Sequence, residues 1–190
     1  MTDEDPFRIL LAVMAVVQIA ISVPYWRRAR AGSTICRRRE EGLFLTVALV
    51  LCYVAYGIGF VAYLLNPAWM SWSAVGIPSM VRWFGAVPLL LGAAFMVWGL
   101  HHIGRNITIS ISTKQDHALV TTGPYRWVRH PIYTGGMVEA VGVCLLMANW
   151  FVAVSADLFW ALIAYRTPME ERKLIETFGD ASRRRIIRIL

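Results

Sequence analysis

Charge is scarce in this sequence of 190 residues. Asp, Glu, Lys and Arg make up 16% of it and come in clusters, which leaves long stretches free to sit in lipid. Cysteine is nearly absent too. Cys36, Cys52 and Cys144 form no CxxC pair, which argues against a disulfide framework or a structural zinc site. Cys52 and Cys144 lie in apolar segments and read as packing residues. No GxGxxG follows a strand pattern and no GxxxxGK(S/T) occurs, so Rossmann-type and P-loop nucleotide sites lack support. The N-terminus carries Asp3, Glu4 and Asp5 in place of a basic cluster, and no small-residue cleavage site follows the first apolar run. That run is therefore expected to remain as a membrane helix and not to be a cleaved signal.

What is present is apolar. Hydrophobic residues make up 57% of the chain, and the mean hydropathy is +0.53. The net charge of +7 could suggest nucleic acid. The basic residues lie beside apolar segments, however, where they more often set orientation and meet anionic headgroups. A bilayer core needs about 20 apolar helical residues. Five stretches qualify as candidates: Phe7 to Tyr25, Leu43 to Leu65, Met80 to about Leu100, Pro131 to Ala148, and Trp150 to Tyr165. The last two are short and nearly contiguous, which predicts a helical hairpin. The expected fold is all-α and polytopic, one integrated domain. Residues 1–100 would supply three membrane helices, and residues 101–190 a loop, the hairpin and a C-terminal segment forming a catalytic region.

Basic and charge-free connections alternate. Arg27, Arg28, Arg30, Arg37, Arg38 and Arg39 follow the first span, and Asn66 to Ser79 has no charge. Arg105, Lys114, Arg126 and Arg129 follow the third span, the next turn is uncharged, and Arg172, Lys173, Arg183, Arg184, Arg185 and Arg188 end the chain. This predicts an N-terminus outside and a C-terminus in the cytoplasm. Trp69, Trp72, Trp83 and Trp150 fall near the predicted outer ends and read as interfacial anchors. Glu139 and Asp157 fall within predicted spans, where acids are costly and are functional candidates.

The connection from His101 to His130 is long and polar and holds all four histidines. Ile107 to Ser112 alternates in a way that suits a short extended stretch. No HxxxH or HExxH spacing occurs and no cysteine is near, so no metal site is expected. Within this connection, Gly123-Pro124-Tyr125-Arg126-Trp127-Val128-Arg129-His130-Pro131-Ile132-Tyr133 combines arginine, histidine and aromatics beside Pro131. As a plain connector it would mark the interface, with Pro131 starting a helix at its first position. That explains His130 and the two tyrosines less well. A second motif is Arg166-Thr167-Pro168-Met169-Glu170-Glu171. It reads as a capping box, with Thr167 as N-cap and Glu170 three residues on. It also reads as a functional Arg166–Glu170 pair.

Between His101 and Asp180 three pieces stand in order. They are His117-Ala118-Leu119-Val120 with Gly123-x-Tyr125; Arg129-His130-Pro131-x-Tyr133-x-Gly135; and Arg166-x-Pro168-x-Glu170-Glu171 followed by Phe178-Gly179-Asp180. This ordered set resembles the isoprenylcysteine carboxyl methyltransferase family of membrane enzymes. The resemblance implies that His117, Ala118, Leu119, Val120, Tyr125, His130, Pro131, Ile132 and Tyr133 line an S-adenosylmethionine site on the cytosolic side. It implies that Glu170 binds this cofactor and that Arg166 contacts the substrate. The substrate would be a lipophilic or lipidated acid entering from the bilayer. The chain departs from the family's spaced C-terminal tyrosines, because Ala181-Ser182-Arg183-Arg184-Arg185 follows Asp180. Three other readings stand beside carboxyl methylation: N-methylation of a phospholipid or other amine, a sterol-type reductase using a nicotinamide cofactor, and a membrane module without catalysis.

Overall fold

A computed structural model describes residues 3–31, 43–103 and 122–178. Six α-helices carry the described chain: α1 Asp5–Ala31, α2 Leu43–Leu65, α3 Ser79–Trp83, α4 Ala86–Ile103, α5 Pro131–Met147 and α6 Trp150–Phe178. Short 3-10 turns at Pro67–Ser73 and Gly123–Arg126 link some of them. Three helical stretches among the described residues are long and apolar enough to cross a membrane: Asp5–Tyr25, Leu43–Leu65 and Ser79–Ile103. Pro131–Met147 is apolar but shorter. Many large apolar side chains of α1 and α2 face outward, among them Val16, Phe44, Leu51 and Ile58. In water this would be a liability, whereas in lipid it is the expected solvent contact.

Three sequence expectations need correction. The third span is not one helix. It breaks at Phe84-Gly85 between α3 and α4. The cause is Pro88, which has no N–H to offer the Phe84 carbonyl and whose ring crowds it; that carbonyl accepts instead from Val87 N at 3.3 Å. The first and last helices run past their apolar stretches, α1 to Ala31 and α6 to Phe178, with Pro24 and Pro168 inside them. The capping box at Thr167 is absent for the same reason. Thr167 lies within α6, and its hydroxyl donates to Ile163 O at 2.9 Å, one turn back.

Packing between α4 and α5 is set by glycine. Gly85, just before α4, and Gly92 and Gly99 within it recur every seven residues, and Gly135 and Gly142 do so on α5. The two helices run antiparallel with backbones in direct contact. A Cβ on Gly92 would lie 2.3 Å from Glu139 N, and one on Gly142 would lie 2.4 Å from Leu89 N. Without a hydrophobic drive between helices in lipid, such close van der Waals approach is what holds them. Only two residues, Ala148 and Asn149, join α5 to α6. Ala148 takes the left-handed conformation (φ 47°). Asn149 accepts from Val152 N at 3.2 Å and so caps α6, while its amide donates to Ser73 Oγ and Met70 O at 2.8 and 3.1 Å. From this turn α5 packs chiefly on α4, and α6 chiefly on α2.

At the same end, Arg82 ties four segments together. Its guanidinium donates to Glu4 Oε1 and Oε2, both at 2.7 Å, to Tyr63 Oη at 2.9 Å and to Leu146 O at 2.6 Å. Its Cζ also stands 4.0 Å above the Phe7 ring. Tyr63 Oη donates to Glu4 Oε2 at 2.6 Å. Arg8 adds bonds to Leu64 O and Leu65 O at the end of α2, where helix carbonyls lack partners. The main core lies just inside this clasp, built on Phe7, Leu11, Leu89, Leu146 and Val152.

The glycine seam predicts position-dependent tolerance. Gly92→Ala should lower stability by about 1–3 kcal/mol, because backbone must move. Gly57→Ala on α2, where an added Cβ meets nothing within 4 Å, should be neutral or mildly stabilising through helix propensity. Thermal unfolding in detergent measures both. The clasp predicts an acid sensitivity. Hydrogen bonds from Arg82 hold the Glu4 carboxyl below its ordinary 4.5, against the opposing effect of burial. A depressed carboxyl contributes stability above its unfolded pKa and loses it as pH falls through the folded value. Melting temperature should therefore drop as pH is taken below 4.5, and Glu4→Gln should flatten that part of the profile.

Candidate active site at the α4–α5 end

Of the residues singled out from sequence, the end opposite the clasp carries Tyr125, His130, Pro131, Ile132 and Tyr133. It is built on the C-terminus of α4 and the N-terminus of α5, which the antiparallel seam brings side by side. Leu100 of α4 is fully buried here, packed by Tyr25, Ile103 and Ile132. Gly99 lets Ile132 approach, since a Cβ would lie 3.2 Å from its side chain.

The Gly123–Arg126 turn crosses the end of α4. Gly123 has φ +60°, the left-handed region that favours glycine, and a Cβ there would lie 2.3 Å from Cδ2 of His102. The His102 ring is itself held by Trp98, whose carbonyl lies 3.0 Å from His102 Nδ1. Trp98 also packs edge-on against Trp127, with ring centroids 5.5 Å apart. Tyr125, in the same turn as Gly123, is buried. The sequence places His102 in the polar connection and singles out no role for Trp98. Their role follows from Gly123 lying directly on the imidazole.

His130 occupies the N-cap of α5 with no side-chain cap bond, and Pro131 follows at the first helical position, fully buried. Proline suits that position because its missing N–H would have had no helical partner. The His130 carbonyl accepts from Thr134 N and from its hydroxyl, at 2.9 and 3.1 Å. This fixes the residue's backbone, and its ring lies parallel to Tyr133, 5.3 Å between centroids and 4° between planes. The pair offers a flat, polarisable face of the kind that suits an aromatic ligand group.

Arg166 is half-buried on α6. Arg129 Nε, His130 Nε2 and Arg166 Nε are all buried atoms. Glu170 lies one turn further along the same unbroken helix, so the spacing noted in the sequence is helical in fact. His117, Ala118, Leu119 and Val120 lie outside the described residues, as does Ile107 to Ser112. His101 and His102 belong to the last turn of α4, not to a loop. Glu139 is half-buried at mid-helix in α5, and Asp157 is exposed on α6.

Comparison with known proteins addresses the same segment. The model of the isoprenylcysteine carboxyl methyltransferase (ICMT) family matches residues 84–176. The chain is 35% identical over 99 residues to protein-S-isoprenylcysteine O-methyltransferase A of Arabidopsis thaliana, covering 50% of each. It is 34% identical over 98 residues to the Saccharomyces cerevisiae protein-S-isoprenylcysteine O-methyltransferase, covering 50% of this chain and 41% of that one. The Homo sapiens protein of the same name is 30% identical over 106 residues, covering 53% and 37%. The chain thus spans about half or less of these relatives. A solved structure of the eukaryotic intramembrane Ras methyltransferase ICMT superposes with a TM-score of 0.62 at 20% identity, covering 95% of this chain and 63% of that one. The shared fold and the apolar helices make this an integral, multi-pass membrane protein.

The turn over His102 is open to test. Gly123→Ala should cost more than the roughly 1–2 kcal/mol of a left-handed alanine, because its methyl displaces the imidazole. Adding His102→Ala should recover that excess and leave the backbone cost, which a double-mutant cycle by thermal unfolding reads directly.

Proposed function

We propose that the chain, whose residues 84–176 match the model of the isoprenylcysteine carboxyl methyltransferase family, belongs to that family and methylates the carboxylate of a lipid-like acid. The methyl donor is S-adenosylmethionine, which supplies a methyl group on a positively charged sulfonium. The observation that carries the reading is positional. The matched segment contains Tyr125, His130, Pro131, Ile132, Tyr133 and Arg166, and the α4–α5 seam supports the first five at one end of the bundle.

The residues present fit such a donor. The parallel His130 and Tyr133 rings and buried Tyr125 offer flat apolar and hydrogen-bonding surface for its adenosine. Glu170, with an acidic side chain, suits its ammonium. His117, Ala118, Leu119 and Val120 complete the proposed lining. Arg166 is assigned to the acceptor, because a planar, permanently charged guanidinium pairs well with a carboxylate. A carboxylate is ionised at neutral pH, with an unperturbed pKa near about 4. It therefore needs no general base, and the protein's work is alignment. Methylation neutralises the carboxylate, so burial of the Arg166 and His130 nitrogens at this end favours the step by thinning water around it.

The proposed topology places this end at the cytoplasmic face. Five spans, with α3 and α4 counted as one broken span, put the N-terminus outside and the C-terminus inside. The basic residues that follow the first, third and fifth apolar stretches then all face the cytoplasm. On this arrangement residues 1–100 form the supporting helices and residues 101–190 the catalytic region. The acceptor, an isoprenylcysteine-type or similar lipidated acid, enters from the bilayer.

Binding of S-adenosylmethionine and S-adenosylhomocysteine to detergent-purified protein tests the cofactor assignment. Saturable binding is expected, lost in His130→Ala and Glu170→Ala. Arg166→Ala should keep cofactor binding yet lower turnover by about 100-fold, the scale of one charged donor at a reacting oxygen. The labelled product should release its methyl in mild alkali, as an ester does. An alkali-stable product, or full turnover without Arg166, would overturn the carboxylate reading.

A further inference from the structure

Glu139 puts a carboxyl in the apolar middle of the bundle, roughly 13 Å along α5 from His130 at 1.5 Å per residue. Beside it lies a cavity of about 350 Å³ walled by five helices, with Gln18 of α1, Tyr56 of α2, Met96 of α4, Glu139 of α5 and Trp160 of α6 among its lining. That volume falls in the range of small-molecule sites, roughly 300–1,000 Å³, and the mostly apolar wall with few polar groups is their usual character.

The polar groups at this point are poorly matched to one another. Among the described residues the Glu139 carboxyl has one hydrogen-bonding neighbour, Gln18 Nε2, at 3.5 Å. The same nitrogen stands 3.6 Å from Met96 Sδ. The contact with Glu139 is at the long limit of hydrogen bonding, and the one with sulfur is to a weak acceptor. A carboxyl held at membrane depth with so little compensation is costly, and such residues mark ligand or ion paths. Nothing in packing requires it, since a leucine would fill a similar volume.

The chemistry of the missing partner can be narrowed. A plain hydrocarbon would fill the cavity and leave the carboxyl as it is. An amine would have to enter as a desolvated cation with one counter-charge. A hydroxyl both donates and accepts, so it can give its hydrogen to a Glu139 oxygen and take one from the Gln18 amide in the same position. We propose that this cavity binds an apolar molecule carrying a single hydroxyl, held between Glu139 and Gln18. The site is separate from the methyl-transfer reading, and its test reads binding alone.

The experiment uses the full chain in lipid nanodiscs and two photoreactive probes: a long-chain alcohol bearing a diazirine and the hydrocarbon of matching length. Adducts are mapped by peptide mass spectrometry. The alcohol should label the lining segments of α1, α5 and α6 and be competed by unlabelled alcohol. It should exceed the hydrocarbon by about tenfold, the scale of one intramembrane hydrogen bond. Glu139→Leu should abolish that preference while hydrocarbon labelling persists, and Gln18→Leu should reduce it. Equal labelling by both probes in the unaltered protein overturns the proposal without reference to any variant. So does a preference that survives Glu139→Leu, or displacement of the alcohol by a matching amine at lower concentration.

Discussion

Backbone contact between α4 and α5 is the constraint on which the rest of this structure depends. In lipid two helices gain little by hiding apolar surface, so they associate where their backbones can approach and pack. The heptad-spaced glycines of α4 and α5 allow that approach along the whole of both helices. The consequence reaches both ends. At one, Leu89 and Leu146 enter the main core. At the other, the last turn of α4 meets the first turn of α5, and His102, Gly123, His130 and Tyr133 are gathered there. The candidate site is the product of a steric condition set many residues away.

The opposite end is secured by charge instead of by small residues. Arg82 is buried, yet its donors are spent on Glu4, Tyr63 and the Leu146 carbonyl. Buried ion pairs add less net stability than their geometry suggests, because desolvation offsets attraction. Their stronger effect here is on register. Wrong pairings of α1, α2, α3 and α5 would leave a guanidinium unsatisfied at the membrane boundary, which penalises them heavily. Arg8, bonded to the last carbonyls of α2, repeats the same device.

Two polar environments result, with different demands. At the α4–α5 end, arginines, a histidine and tyrosines stand near helix ends. At mid-bundle, Glu139 and Gln18 stand in a mostly apolar cavity where only uncharged partners are cheap. The two surfaces suit different chemistry, one charged groups and the other apolar body. The first is set by residues near helix ends, where backbone groups are free to help. The second depends on side chains alone.

Much of this was legible in the residues themselves. Apolar stretches marked the helices because length and hydropathy are local properties, and the ordered motifs around His130 and Arg166 carried the family resemblance. The bounds of α1 and α6 were not legible, since helices here continue into charged sequence where apolar content stops being a guide. The break at Phe84-Gly85 was readable from Pro88 in principle, but hydropathy runs through it unbroken. Glu139 stood out by its charge, whereas its partner Gln18 lies 121 residues away in sequence and could be found only in space. The same holds for Glu4 and Arg82, and for Gly123 beneath His102. The sequence alone determined which segments are helical and which chemistry they carry, because these rest on local composition. The tertiary structure alone decided which of those groups meet, because that depends on how closely two backbones can approach.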